Sequence, residues 1–175
     1  MTDHQQAREA FESALAVART EAAAFDALCA LAKATVGAKL FTVMTVDMKA
    51  MLARRAYTDD AGNYPTSGTK PIEINPWFEI VHGRHETFVA NTLADIDKVF
   101  PDADLIGRLG CGSVVNLPIL LGGGVVATVN ILHEEGYYSP ERVALVHETL
   151  RLPAMAAMAV ALTMSPLPES RPSEV

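Results

Sequence analysis

The chain has 175 residues, of which 50% are hydrophobic, and it carries a formal net charge of −7 with a pI of about 5.2. That length predicts a single globular domain that buries a core of its own. The acidic balance, with basic residues scattered along the chain, argues against a nucleic-acid partner, because such a partner requires a concentrated basic surface.

Two helices are predicted at the start of the chain. Apolar residues recur at three- and four-residue spacing from about Thr2 to Arg19, and again from about Ala22 to Val36. Gly37 is a suitable stop for the second helix. We expect residues 1–21 to form a dimerisation helix and residues 22–162 to form the folded domain.

Two strands, Lys39–Val46 and Met51–Tyr57, should follow and pair antiparallel about a short turn. The next stretch, residues 58–110, is rich in proline and irregular, and we call it the wall segment. It should hold a short helix capped by Asn75 with Pro76 at its first position. Its other predicted elements are a strand at Glu86–Ala90 and a helix at Leu93–Val99.

A β-hairpin is the clearest pattern in the chain. Its arms, Ser113–Leu121 and Val125–His133, are joined by three glycines, where a positive φ costs nothing. If the loop has three residues, Leu121 faces Val125 and Asn116 faces Asn130. Both amides then lie on one mixed face suited to a small-molecule pocket, and the apolar face packs under helices. The mixed face carries Val114, Asn116, Pro118, Thr128, Asn130 and Leu132.

The last predicted element is a long helix. Ser139 is its N-cap, Pro140 its first residue, and it should continue to about Leu162 with a kink at Pro153. Beyond the kink no face carries a charge, so we expect this helix to contact a second subunit in a homodimer, together with the first helix. Residues 163–175 should be a disordered tail.

A cytoplasmic location is expected. Charged residues near the start exclude a signal peptide, and the uncharged stretch at 152–168 is too short and too broken by proline to span a bilayer. Cys29 and Cys111 form neither a disulfide framework nor a zinc ligand set.

The order of these elements resembles that of the GAF domain from about Ala22 to Leu162. The most specific part is the hairpin: residues 112–119 read Gly-Ser-Val-Val-Asn-Leu-Pro-Ile, and residues 126–133 read Val-Ala-Thr-Val-Asn-Ile-Leu-His. The resemblance implies an α+β sandwich of the GAF or profilin type, with a central antiparallel sheet of about five to six strands and helices on one face. The wall segment would enclose a ligand pocket on the other face. A small-molecule sensor is implied, with ligand and cofactor left unknown.

Markers of two GAF ligand classes do not match this sequence. Cyclic-nucleotide GAF domains carry Asn-Lys after the last strand, then Phe and an Asp-Glu pair; Asn130 matches, but Ile131, Tyr138 and Arg142 occupy other marker positions. The Asp-Ile-Pro triplet of bilin-binding phytochromes is missing. GAF-type reductases of free methionine sulfoxide use several loop cysteines, and Cys111 does not match their position.

The resemblance and the hairpin faces together give a set of candidate ligand-binding residues. Aromatic rings would enclose the ligand, and amides, a hydroxyl and a thiol would fix its polar groups. The asparagines could equally be a buried pair that bonds to itself, and the rings could equally form a satellite core. The candidates are Tyr57, Trp77, Phe88, Asn91, Phe100, Cys111, Ser113, Asn116 and Asn130.

Two other functions remain open at this point. Cys111, between two glycines, would be the reactive thiol of a small enzyme of the free methionine sulfoxide reductase type, or the domain would be a dimerisation scaffold with a filled pocket. His82 and His85 suggest solvated surface histidines, because no third ligand for a metal ion is evident.

Overall fold

The computed structural model describes residues 3–164, which form a six-stranded antiparallel sheet with helices packed on one face. This is the α+β architecture expected from the sequence. The strands are β1 (Leu40–Asp47), β2 (Leu52–Thr58), β3 (Lys70–Pro71), β4 (Phe88–Ala90), β5 (Ser113–Leu121) and β6 (Gly124–His133), in the sheet order β3-β2-β1-β6-β5-β4. The helices are α1 (Asp3–Val17), α2 (Glu21–Thr35), α3 (Pro76–Phe78), α4 (Leu93–Asp97), α5 (Ala103–Arg108) and α6 (Pro140–Met164).

Helices α2 and α6 pack against one face of the sheet, and α1 packs on α2. Thr20 caps α2 by accepting a hydrogen bond from the Ala23 N–H at 3.0 Å, and Gly37 follows the helix with a φ of +92°. Phe25 and Leu28 of α2 and Leu150 of α6 are fully buried against the apolar sheet face. This face therefore holds the main core of the domain.

The hairpin register agrees with the prediction except at the turn. Asn116 lies opposite Asn130, but Leu120 pairs with Val125, so the predicted pairing of Leu121 with Val125 is wrong. Gly122 and Gly123 both have positive φ, which is typical of a two-residue turn whose twist matches that of the strands. A bulge next to the turn absorbs the extra residue and leaves the rest of the ladder in register.

The wall segment contains more regular structure than predicted. Asn75 caps α3 and Pro76 is its first residue, as expected, and the chain continues as a π-helical segment, Glu79–Gly83. Strand β3 and helix α5 were not predicted, because one has two residues and the other lies between a proline and a glycine. Apolar side chains of α4 and α5 pack with Val114 and Leu132 into a second, smaller core.

Helix α6 continues through Pro153 to Met164. It is long and apolar enough to cross a membrane, the one such helix among the described residues, but core helices of soluble proteins share these two properties. Its buried face packs on α2 and the sheet. Of the predicted tail, Thr163 and Met164 belong to α6, and the remainder lies outside the described residues.

Candidate functional site

A cavity of about 360 Å³ lies between the polar sheet face and the wall segment. Its size falls within the range of small-molecule sites, about 300–1,000 Å³. Strands β1, β5 and β6 form the floor, while α3, the π-helical segment and α5 contribute the opposite side. The floor residues are Thr42, Met44, Val114, Asn116, Thr128, Asn130 and Leu132, and the facing residues include Trp77, His82, Phe100 and Ile106.

A chain of side-chain hydrogen bonds crosses the floor. Trp77 Nε1 donates to Asn116 Oδ1 at 3.0 Å, and Asn116 Nδ2 donates to Asn130 Oδ1 at 2.7 Å. Asn130 Nδ2 in turn donates to Thr42 Oγ1 at 3.1 Å. The chain fixes the orientation of both amides and ties the wall segment to the sheet through one indole ring.

His82 is buried at the cavity with both ring nitrogens unpartnered. Its ring stacks on Phe78 with centroids 4.9 Å apart and meets Trp77 edge-on at 5.5 Å. Burial, and then the charge of His85, lower the pKa of His82, so it is neutral at pH 7. The expectation of a solvated histidine is therefore wrong for His82, because the π-helical segment turns it inward, whereas His85 is exposed.

Thr128 and Arg55 also carry buried atoms without a hydrogen-bond partner. Thr128 is 1% exposed and its Oγ1 has no hydrogen-bond partner. The Arg55 guanidinium lies 3.7 Å from the centre of the Tyr64 ring, donates to Pro65 O at 2.8 Å and approaches Asp102 Oδ2 to 3.7 Å, which leaves Nε without a partner.

These unpartnered atoms belong to a single cavity. Among residues 3–164, the buried side-chain nitrogens and oxygens without a partner are Arg55 Nε, His82 Nδ1 and Nε2, and Thr128 Oγ1. All three residues line the cavity. Because native proteins pair almost every buried polar atom, with protein groups or with ordered water, this concentration sets the cavity apart from the rest of the described residues.

A bulge between β1 and β2 explains why Tyr57, contrary to the prediction, does not line the cavity, and why Arg55, which was not predicted, does. The pairing of β1 with β2 shifts between Val43 and Met44, so Tyr57 pairs with Val43 while Arg55 pairs with Met44. Two residues of one strand that alternation would place on the same face thus lie on opposite faces. Tyr57 packs in the main core, donates to Asp26 Oδ1 at 2.6 Å and does not line the cavity, whereas Arg55 does.

Three further candidates lie outside the cavity. Asn91 holds the backbone of Tyr138, donating to its carbonyl at 2.8 Å and accepting from its N–H at 3.1 Å. Ser113 Oγ donates to Glu134 O at 2.7 Å. Phe88 packs edge-on against Phe100 in the second core. Of the predicted set, the structure brings Trp77, Phe100, Asn116 and Asn130 together at the cavity.

Cys111 is not exposed to solvent and does not line the cavity. It is 4% exposed, its Sγ is 3.9 Å from Leu109 O, and the second core covers it. Flanking glycines leave a thiol accessible only if nothing packs over it, so the structure goes against the alternative in which Cys111 is a reactive thiol. Burial raises the pKa of Cys111, and burial also raises that of Cys29 to about 11.

Cys111 is expected to alkylate slowly. A raised pKa lowers the thiolate fraction at pH 7, and only the thiolate attacks iodoacetamide. Mass spectrometry of a Cys29→Ser variant should show that the folded protein reacts at least roughly tenfold more slowly than glutathione, and at the ordinary rate in urea. A fast reaction of the folded protein would revive the thiol-enzyme hypothesis.

Comparison with known proteins agrees with this geometry. A family model described as "GAF domain" matches residues 18–156. The chain belongs to the GAF domain family. A search among curated proteins finds no match. No group of three histidine, cysteine or acidic side chains within 3–164 is arranged to hold a metal ion.

Several solved structures share the fold at low identity. The GAF domain of a two-component sensor histidine kinase from Bacillus halodurans is 14% identical, with a TM-score of 0.64 over 81% of this chain and 96% of that one. Free methionine-R-sulfoxide reductase from Neisseria meningitidis is 14% identical, with a TM-score of 0.65 over 94% and 95%. The N-acylhomoserine lactone dependent LuxR family transcription factor CepR2 from Burkholderia cenocepacia is 14% identical, with a TM-score of 0.68 over 94% and 98%. GAF domains are in general small-molecule-binding sensor domains, and these likenesses establish the fold.

Proposed function

We propose that this GAF domain is a cytoplasmic sensor that binds a small organic molecule in the cavity between the sheet and the wall segment. One observation carries the proposal: the unpartnered buried polar atoms of the described residues all belong to residues that line this cavity. Each such atom costs roughly 1–3 kcal/mol when left without a partner. A bound molecule that supplies the partners would recover part of that cost.

Binding would be transmitted through the contacts that join the wall segment to the sheet. Trp77 bridges the two through Asn116, and the opposite face of the sheet supports α2 and α6. We expect ligand binding to order the wall segment and to alter the surface that α1 and α6 present to a second subunit. The signal would then leave the domain through association.

The two alternatives have less support. An enzyme that uses Cys111 would require an accessible thiolate, and this thiol is buried with a raised pKa. A scaffold with a filled pocket is disfavoured by the cavity itself.

The single tryptophan of the chain provides the test, because Trp77 lies at the cavity. Native mass spectrometry of freshly purified protein, under gentle and denaturing conditions, would reveal a carried-over ligand. A metabolite library would then be screened by the indole N–H signal of Trp77 in ¹H–¹⁵N spectra. Val46→Phe, which narrows the cavity, should abolish any response. A protein that carries no extra mass and responds to no metabolite would contradict the proposal.

A further inference from the structure

We infer that the ligand is an uncharged molecule with an apolar body of one or two rings and a hydrogen-bonding head of the amide, carbonyl or hydroxyl type. This inference rests on the proposed function and names the chemical class that the cavity accepts. Three properties of the lining carry it: its balance of charge, its unpartnered polar atoms, and its apolar remainder.

The charges at the cavity cancel. Its lining holds two basic residues, Arg55 and Lys70, and two acidic residues, Glu73 and Asp102. Lys70 and Glu73 are exposed at the rim, while Arg55 and Asp102 approach each other to 3.7 Å. An ionic group inside would lose its hydration without gaining an unpaired opposite charge. The interior therefore favours a neutral molecule.

The unpartnered atoms define what the head of the ligand must offer. Neutral His82 has one ring nitrogen that donates and one that accepts, the Thr128 hydroxyl does both, and Arg55 Nε only donates. An amide, or a carbonyl with a neighbouring hydroxyl, supplies both complementary functions. A pure hydrocarbon would leave all of these atoms buried and unpaired.

The remaining lining is apolar and sets the size of the ligand. Its volume of about 360 Å³ is near the lower end of the range for small-molecule sites, which suits one or two rings. The apolar contacts would come from both the sheet and the wall segment. They include Met44, Ile72, Phe100, Ile106, Val114 and Leu132.

Four planar probes of the same shape test the inference: benzamide, benzoate, benzamidine and α-methylstyrene, which differ in charge and in hydrogen-bonding atoms. Each would be titrated into ligand-free protein, verified by native mass spectrometry, while the indole signal of Trp77 is followed. We expect benzamide to bind at least roughly tenfold more tightly than the other three, because it alone is both neutral and able to form the hydrogen bonds.

Thr128→Val identifies the hydroxyl as part of the site. The substitution should lower the affinity for benzamide roughly fivefold and leave the affinity for α-methylstyrene unchanged. The ligand-free variant should have a melting temperature no lower than that of the wild type, because a methyl group of similar size replaces an unpartnered buried hydroxyl. Thr45→Val is the matched control. Thr45 pairs with Ala127 on the helix-covered face, so the affinity for neither probe should change. His82→Phe, which keeps the ring stack, provides a second variant with the same expectation as Thr128→Val.

Several results would overturn the inference. One is that benzoate, benzamidine or α-methylstyrene binds as tightly as benzamide. Another is that benzamide does not bind at any concentration up to its solubility limit. If the carried-over ligand or a library metabolite is ionised at the cavity, only the inferred class fails. If neither a metabolite nor a probe binds, the proposed function fails with it.

Discussion

Asn130→Leu is expected to lower the free energy of unfolding by about 3 kcal/mol, more than a surface substitution would. Leucine has nearly the shape of asparagine but lacks both its donor and its acceptor. Asn116 Nδ2 would lose its acceptor at 2.7 Å, and Thr42 Oγ1 would lose its donor at 3.1 Å, both in a buried setting. Urea unfolding, followed by circular dichroism, measures the loss.

A double-mutant cycle separates the hydrogen bond from simple burial. Asn116→Leu together with Asn130→Leu removes both partners of the central hydrogen bond. The double variant should therefore lose clearly less free energy of unfolding than the two single variants lose in sum. The indole N–H of Trp77 would lose its acceptor in Asn116→Leu, and its NMR signal should move. Strict additivity would show that the two amides do not act as a pair.

The hairpin is the part of the site that the sequence predicts best. Alternation has a period of two in a regular ladder, so a few strand residues on either side of a glycine turn are enough to assign faces. Alternation therefore predicts Asn116 opposite Asn130 on the pocket face, and the ladder contains this pair. The turn has two residues instead of three, and the bulge beside it adds one residue to β6, so the two departures cancel and the predicted pair is kept.

The same argument fails where the backbone departs from regular geometry. The bulge in β2 places Tyr57 in the core and Arg55 at the cavity, and no residue type marks it in the sequence. His82 turns inward on a π-helical segment, whose period differs from that of an ordinary helix. Alternation predicts that Thr128 lies on the pocket face, but its missing hydrogen-bond partner is visible only in three dimensions.

Met155→Glu is expected to convert the proposed dimer into monomers, with a dissociation constant raised by roughly hundredfold. An exposed apolar stripe runs along α6 at three- and four-residue spacing, formed by Leu152, Met155, Ala159 and Leu162. On a second subunit this stripe would be buried, and a carboxylate at its centre would be desolvated without a partner. Sedimentation equilibrium of the wild type and the variant measures the change.

Met48→Glu is the matched control, because Met48 in the turn between β1 and β2 is 39% exposed, against 37% for Met155. It introduces the same charge at the same exposure, away from α6, and should leave the dimer intact. A monomeric wild type, or a Met155→Glu variant that remains dimeric, would contradict the proposed interface. Flotation of the wild type with lipid vesicles would instead assign the stripe to a membrane. The charge of Met155→Glu should weaken either association, so only the sedimentation and flotation results together identify what covers this helix.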